Sequence, residues 1–512
     1  MNGAQAIILS AKQCGIEVCF ANPGTTEIPL VAAFDDPGGI RPVLCLYEGV
    51  CTGAADGYAR MLDKPAMVLL HLGPGLANGL SNLHNARRAH SPLVVVVGEH
   101  STWHRPLDPP LAMDIESIAS STSGWQRTCI SSSNLGSDMV EAVSASLKCQ
   151  VATLIVPYDL QMAPCVEKKI SPDESRGRAP DYLKIDEAAE VLRMDNKTAL
   201  VLGGRTLRRE GLLTAARIRN ACGCDLLAEC FPARMERGSG LPEMTRIPYI
   251  PEMAVDLLSH YDALVFAGAD EPVAFFGYAG VPGRLLNEKT KRVHLADPRR
   301  DATKALVSLA DMIGAPAYAT KDILAQPSRP AMPAGKLSGQ KACSVIAALQ
   351  PEDVVVVDES ITNSILYYPL TAGVPPFTLL TLTGGSLGQG PACAVGAAVA
   401  CPDRPVIDIQ ADGAGMYTIQ SLWTQVRENL NVTTLIYSNR SYDILKLELA
   451  RYGVIAPGPN AAKMTDLSGI DWVSLGRSMG VSSAAASTAE ELAQGLSKAL
   501  VEQGPHLIQM NL

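Results

Sequence analysis

The sequence predicts an α/β protein built as three successive doubly wound parallel-sheet domains, and three observations carry that reading. Its apolar runs are mostly continuous rather than alternating, as strands covered on both faces require. Helical patterns separate these runs at βα spacing. The length, 512 residues, also exceeds what one core supports, since about 150 residues per domain is usual. Segments crowded with Pro and small or polar residues at 164–180 and 325–335 break the pattern. The implied domains are residues 1–165, 183–325 and 338–512.

In the first domain the expected strands are Glu17 to Asn22, Arg41 to Tyr47, Pro65 to His71, Pro92 to Gly98 and Ala152 to Val156. The second begins at Thr198 to Gly204 and continues with Asp225 to Glu229, Ala263 to Ala269 and Arg292 to Ala296. The third holds Asp353 to Glu359, Val406 to Gln410, Val432 to Tyr437 and His506 to Leu512.

A net charge of −9 and an aromatic content of 5% argue against nucleic acid as a partner. Thirteen cysteines include no C-x-x-C pair, so neither a zinc site nor a disulfide scaffold is indicated. The start lacks a basic region followed by an apolar core, and no apolar run approaches membrane-spanning length. These features predict a soluble, cytoplasmic protein with no membrane partner.

The most informative stretch is 406–442. An apolar strand ends at Ala411-Asp412-Gly413-Ala414-Gly415, where glycines would let the backbone turn tightly. A helix is expected from there to about Asn429 to Asn431, followed by a second apolar strand ending in Ser438-Asn439-Arg440-Ser441. Parallel strands put both tips on the sheet edge where open α/β sheets bind ligands. Asp412 and Asn439 can therefore meet one ion, and a carboxylate with an amide oxygen suits Mg²⁺. Gly413 and Ala414 would offer backbone N–H groups to a diphosphate. Asp and Asn also end strands simply because turns favour them.

Other strand tips carry further candidates. Glu48, in Leu46-Tyr47-Glu48-Gly49, places an ionisable group between an apolar strand and an apolar helix. Such carboxylates concentrate at functional sites, although a capping or salt-bridged Glu would look the same. Asn22-Pro23-Gly24-Thr25-Thr26-Glu27 follows the first strand, and His71-Leu72-Gly73-Pro74-Gly75-Leu76-Ala77-Asn78 follows the third. His71 can relay protons from that edge or serve the core. His100 and His104 lie past the fourth strand at i,i+4 spacing, with no third metal ligand in view. Asp358-Glu359-Ser360-Ile361-Thr362-Asn363 supplies hydroxyls for diphosphate oxygens, Ser360 and Thr362 among them. Thr383-Gly384-Gly385-Ser386-Leu387-Gly388-Gln389-Gly390 is a Gly-rich loop.

Taken together, these motifs resemble the thiamin-diphosphate enzymes, and most closely the acetohydroxyacid (acetolactate) synthase large subunits, with benzoylformate decarboxylase next. The resemblance covers nearly the whole chain, with Ala411 and Ser438 departing from the family's Gly-Asp-Gly and Asn-Asn. It implies a pyrimidine-binding, a middle and a diphosphate-binding domain, with thiamin diphosphate and Mg²⁺ as cofactors. Asp412, Asn439 and the main-chain carbonyl of Ser441 would hold the metal. Asn22, Gly24, Asn78, Ser360, Thr362, Gly385, Leu387, Gly413, Ala414 and Tyr442 would bind the coenzyme. Leu387 would be the wedge that bends it, and the Gly385 carbonyl would accept from its 4′-amino group. Glu48 would bond N1′ and favour the imino tautomer that activates C2. His71 and Thr25 would lie near the substrate carboxylate.

The resemblance further implies a 2-oxo acid substrate, decarboxylated to an enamine. Capture by a second carbonyl makes a carboligase and capture by a proton a decarboxylase. Active sites would form at the subunit interface of a homodimer or homotetramer. Glu448 replaces the acceptor-selecting aromatic of acetohydroxyacid synthases, and Leu445 stands where pyruvate decarboxylases have a Glu. Ala233 to Gly240, ARMERGSG, lacks the flavin-associated motif, so FAD is not expected. Val273 to Tyr278 would give an apolar pocket wall in place of a second histidine. Lys446 and Arg440 could hold an acidic substrate, and Arg205, Arg208 and Arg209 a nucleotide phosphate, unless both sets are solvated helix charges. The altered Ala411 and Ser438 would also suit a cofactor-holding pseudoenzyme, although binding alone does not call for Glu48.

Overall fold

The computed structural model describes residues 1–35, 39–166, 181–194 and 197–512. It is an α/β structure containing three sheets of parallel strands. Contacts divide it into two compact units: residues 1–174, 330–370 and 382–512, and residues 175–329 with 371–381. Beyond residue 166, the first expected linker lies outside the described residues.

In the first unit the N-terminal sheet comprises β1 (Val18–Asn22), β2 (Arg41–Leu44), β3 (Ala66–Leu70), β4 (Leu93–Glu99), β5 (Trp125–Thr128) and β6 (Val151–Pro157). Its order is β2-β1-β3-β4-β6-β5, and every pairing is parallel. Continuous burial along β3, β4 and β6 reflects helices on both faces, the arrangement that the unbroken apolar runs require. One face packs against helices Gly3–Gln13 and Leu135–Ser146, the other against Glu48–Leu62 and Leu72–Arg88.

The second unit contains β7 (Thr198–Leu202), β8 (Asp225–Ala228), β9 (Met235–Arg237), β10 (Thr245–Arg246), β11 (Ala263–Ala267) and β12 (Lys291–Ala296). Its parallel sheet runs β10-β8-β7-β11-β12 over a core that includes Leu264, Phe266 and Leu258. To this unit also belongs β14 (Phe377–Thr381), which pairs antiparallel with β9, Leu379 opposite Met235.

The C-terminal sheet in the first unit is built from β13 (Val355–Asp358), β15 (Val406–Ala411), β16 (Val432–Ser438), β17 (Ser482–Ala486) and β18 (His506–Asn511). These run parallel in the order β17-β18-β16-β15-β13, with Asp408 opposite Val357 on one side and Thr434 on the other. The helix expected after Asp412 is broken instead of continuous. A turn of helix spans Asp412–Gly415, a 3-10 turn spans Met416–Thr418, and a helix resumes at Ser421–Arg427.

Helices Glu48–Leu62 and Gln389–Ala400 cross in close contact. A Cβ on Gly57 would overlap the Cys393 carbonyl, one on Gly396 the Ala54 carbonyl, and one on Gly53 would reach 2.5 Å from the Ala392 methyl. The buried ion pair Asp56–Arg60 sits beside this crossing at 2.6 Å, joined by Ser91, Gln389 and Thr383.

Mid-strand in β15, Asp408 is fully buried. Its Oδ1 accepts from Gln410 Nε2 at 2.7 Å, but burial pushes the carboxyl up to about 8, with Glu359 and Asp358 adding repulsion. An acid whose folded pKa is raised holds a proton that the unfolded chain releases near pH 4. Its contribution to stability is full at acidic pH and is lost as pH rises towards 8. Asp408→Asn should therefore flatten the fall in melting temperature between about pH 4 and pH 8, read from paired thermal melts of the two proteins. Parallel curves would contradict it.

Candidate active site

Glu48 opens helix Glu48–Leu62 with extended Tyr47 ahead of it, so its carboxyl stands at the positive end of the helix dipole. The side chain is 8% exposed. Among the described residues it forms no ion pair, and it is not the N-cap. Asn78 Nδ2 donates to it, 3.1 Å from Oε2. A Cβ on Gly75 would sit 3.5 Å from Oε1, which places the first turn of helix Leu72–Arg88 against the carboxyl. The fold thus brings the expected Glu48 and Asn78 together.

At the tips of β1 and β3, His71 Nδ1 lies 2.8 Å from Glu27 Oε2 and 3.2 Å from Thr26 Oγ1. Glu27 is wholly buried and also takes the Gly24 N–H at 2.8 Å and the Thr26 hydroxyl at 2.6 Å. Two glycines make room for this group: a Cβ on Gly24 would overlap the His71 ring, and one on Gly98 the Glu27 carboxylate. Glu27 was not foreseen as a site residue. Its only signal in the sequence is an acid just after a strand tip, at the start of helix Ile28–Ala33. Thr25 is exposed on the 3-10 turn Thr25–Glu27, so Thr26 rather than Thr25 touches His71. Asn22 ends β1 half-buried.

His100 and His104 contact each other edge to face at 5.5 Å. Among the described residues, no group of three or more His, Cys, Asp or Glu could hold a metal. All thirteen cysteines are free.

On the C-terminal sheet edge, Asp412 is 2% exposed. Its Oδ1 accepts from Gly413 N–H at 2.9 Å and its Oδ2 from Arg440 N–H at 2.7 Å. Among the described residues no Lys, Arg or His side chain pairs with it, and burial pushes the carboxyl up to about 6. Asn439 Oδ1 accepts from Ser441 N–H at 3.0 Å, while its Nδ2 donates to Asp443 Oδ2 at 2.8 Å. The Ser441 carbonyl accepts from Asp443 N–H at 3.0 Å. A buried carboxylate with no cationic partner beside an amide oxygen is a hard donor set, and it fits Mg²⁺.

The glycines after Asp412 serve a different end from the one expected. Neither takes a positive φ. A Cβ on Gly413 would overlap the Tyr442 ring, and one on Gly415 would come within 2.9 Å of Trp472. Close approach, not a tight turn, excludes side chains here. Ala414 follows, 4% exposed.

Past β13, the Ser360 hydroxyl and N–H both donate to Asp358 Oδ1 at 3.1 Å, and Thr362 is half-buried two residues on. In the Gly-rich loop, Gly385 is exposed at φ +75° and Leu387 half-buried, followed by Gly388 at φ +89°. Three non-Gly residues with left-handed backbones fall beside candidate groups: Leu72 after His71, Ile361 between Ser360 and Thr362, and Arg440 after Asn439. Strain of this kind persists where surrounding structure over-determines it, and it clusters at functional sites.

The sequence matches a known family. The profile described as "Thiamine pyrophosphate enzyme, N-terminal TPP binding domain" matches residues 1–118, and that of the "C-terminal TPP binding domain" matches residues 367–510. The chain belongs to the thiamine pyrophosphate enzyme family. It is 46% identical, over 100% of its length and 99% of the relative's, to a Mycobacterium tuberculosis H37Rv protein named as acetolactate synthase large subunit IlvX, an activity itself unproven. Benzoylformate decarboxylase of Pseudomonas aeruginosa is 28% identical over 98% of this chain and 96% of its own. In fold, the chain resembles a thiamine diphosphate-dependent 4-hydroxybenzoylformate decarboxylase of Rhodococcus jostii RHA1, with a TM-score of 0.86 at 22% identity over 99% and 98% of the two chains. Among the described residues, no helix is long and apolar enough to cross a membrane.

Because the Gly413 position leaves no space beside Tyr442, Gly413→Ala should keep the fold yet push the ring aside. Coenzyme affinity in the presence of Mg²⁺, followed by intrinsic fluorescence, should fall about tenfold, on the order of 1.4 kcal/mol. An unchanged affinity would mean that this contact does not shape the site.

Proposed function

We propose that the protein is a Mg²⁺- and thiamin-diphosphate-dependent enzyme that decarboxylates a 2-oxo acid and joins the product to a second carbonyl, in the manner of acetolactate synthases. The observation that carries the proposal is Glu48, a buried carboxyl without a cationic partner, held by Asn78 at the start of a helix. Such a group is poised to exchange a proton with a heteroaromatic nitrogen. Bound thiamin diphosphate would supply a carbon nucleophile for the 2-oxo group and an electron sink for loss of carbon dioxide.

The chain's own residues would divide the remaining work. Asp412, Asn439 and the Ser441 carbonyl hold the metal, while Ser360, Thr362, Gly413, Ala414 and Tyr442 cradle the diphosphate. Leu387 and Gly385 set the coenzyme's bend. Asn22, Gly24 and Asn78 complete the aminopyrimidine end, and Thr25 lies near the substrate. Exposed apolar side chains close to the diphosphate-side candidates, among them Met416, Tyr417, Leu445 and Leu447, support a homo-oligomer in which one copy covers the site of another.

A second reading, a benzoylformate-type decarboxylase that releases free aldehyde, is favoured by His71. Its ring is oriented by Glu27 and Thr26 on the same strand edge, as a proton donor to a carbanion would be. The two readings part when the protein is incubated with Mg²⁺, thiamin diphosphate and a panel of 2-oxo acids, with and without an aldehyde or 2-oxo-acid acceptor. A hydroxyketone product supports carboligation, carbon dioxide with free aldehyde supports the second reading, and bound coenzyme without turnover would contradict both. Glu48→Gln should reduce turnover by at least about 100-fold while the melting temperature is retained.

A further inference from the structure

Glu359 plays no part in the chemistry above, yet it is one of the most heavily committed carboxylates in the chain. It follows the last residue of β13, its N–H pinned to the Ile409 carbonyl of β15 at 2.9 Å, and its side chain is 1% exposed. Oε1 accepts from the N–H groups of Gly388, at 2.7 Å, and Gln389, at 3.1 Å, and Oε2 accepts from Gly390 N–H at 2.7 Å. The carboxylate thus spans three successive amides at the start of helix Gln389–Ala400, the end of a helix that favours negative charge. Among the described residues it makes no ion pair. Space for it is reserved, because a Cβ on Gly390 would overlap Gln410 and reach 2.9 Å from Oε2. Burial pushes the carboxyl up to about 7, against the pull of the three amides.

The same amides end the loop that carries Gly385 and Leu387, and the opposite side of that loop is also held. The Gly388 carbonyl accepts from Thr418 Oγ1 at 2.8 Å and from Asn82 Nδ2 at 3.3 Å, and Asn82 Nδ2 also reaches the Gly49 carbonyl at 2.8 Å. Asn85 brackets Ser386, donating to its carbonyl at 2.8 Å and accepting its N–H at 3.2 Å. His84 Nε2 lies 3.1 Å from the Gly384 carbonyl. One hydrogen-bonded chain therefore runs from Glu359 through Gly388 and Asn82 to Gly49, the residue after Glu48.

We propose that Glu359 is a positioning residue: by clamping the amides of Gly388, Gln389 and Gly390 it fixes the height of Leu387 and Gly385 and, through Asn82, the start of the Glu48 helix. The inference rests on the functional reading above for its consequence, but the clamp itself exists without coenzyme. A hydrogen-bonded frame of this kind limits how far the groups facing a ligand can drift, and small displacements of positioned groups are expensive in catalysis. Gln at this position keeps an oxygen for Gly388 and Gln389 but turns an NH₂ towards the Gly390 donor, breaking one bond of three. Ala breaks all of them.

The test uses the full chain, wild type, Glu359→Gln and Glu359→Ala, with amide hydrogen exchange of residues 383–390 measured without coenzyme. Thiamin diphosphate affinity at saturating Mg²⁺ and the melting temperature are measured alongside. Exchange at Gly388 and Gly390 should rise about tenfold in the Gln variant and further in the Ala variant. Coenzyme affinity should fall in the same order, and KM for the 2-oxo acid should hold while kcat drops. Folded variants with wild-type exchange and wild-type affinity would overturn the proposal. Should neither variant fold, rapid exchange of the Gly388 and Gly390 amides in the wild type would overturn it equally, and slow exchange would sustain it. Failure of the wild type to bind thiamin diphosphate would defeat the functional reading while leaving the exchange result to judge the clamp.

Discussion

Helix Glu48–Leu62 and helix Gln389–Ala400 lie almost backbone to backbone, with Gly57 against the Cys393 carbonyl and Gly396 against that of Ala54. Everything of chemical interest in the first unit depends on that approach. One helix begins with Glu48 and the other with the loop bearing Gly385 and Leu387, so their separation sets the relation between the two. A single methyl at Gly396 would meet a carbonyl of the other helix, where nothing flexible can yield. The polar groups beside the crossing complete the constraint, because Asp56 and Arg60 neutralise each other while Ser91 and Gln389 donate to Asp56 and Thr383 accepts from Arg60. Breaking such a buried pair from one side costs about 3–5 kcal/mol, which keeps the crossing in one register.

Acids held without cations form the second theme. Glu48, Glu359, Asp408 and Asp412 are all buried, and among the described residues none is ion-paired with a side chain. Backbone amides hold Glu359 and Asp412, and side-chain amides hold Asp408 and Glu48. Burial without a counter-charge is unfavourable and persists where it is used. At Asp412 the proposed use is a metal; at Glu359 it is the proposed clamp. The left-handed backbones of Leu72, Ile361 and Arg440 belong with these acids, as strain accepted at the strand ends that carry the candidate groups.

Much of this was legible in the residues, and what was missed has physical reasons. Continuous apolar runs disclosed most of the central strands to within a few residues, because burial on both faces favours that composition, but β14, FTLLT, was not foreseen although it is buried along its whole length. The edge strands β5 and β17, WQRT and SSAAA, escaped because a half-covered edge tolerates polar and small residues. Two-residue β10 carries no pattern at all. The helix expected after Asp412 broke because Gly415 packs on Trp472 and Thr418 turns to bond the Gly388 carbonyl, contacts that come from distant sequence. Glu27 and Glu359 were hidden for the same reason. Each sits in a motif that reads as a turn, and its importance lies in what the fold brings to it: His71 and Gly98 for one, three amides for the other.

The central claim is that Glu48 serves the aminopyrimidine of thiamin diphosphate, and the most direct measurement is hydrogen–deuterium exchange at C2 of the bound coenzyme, followed by NMR after acid quench. Wild-type protein with Mg²⁺ should exchange that hydrogen at least about 100-fold faster than Glu48→Gln, with both proteins saturated by coenzyme. Equal rates in the two saturated proteins would contradict the account.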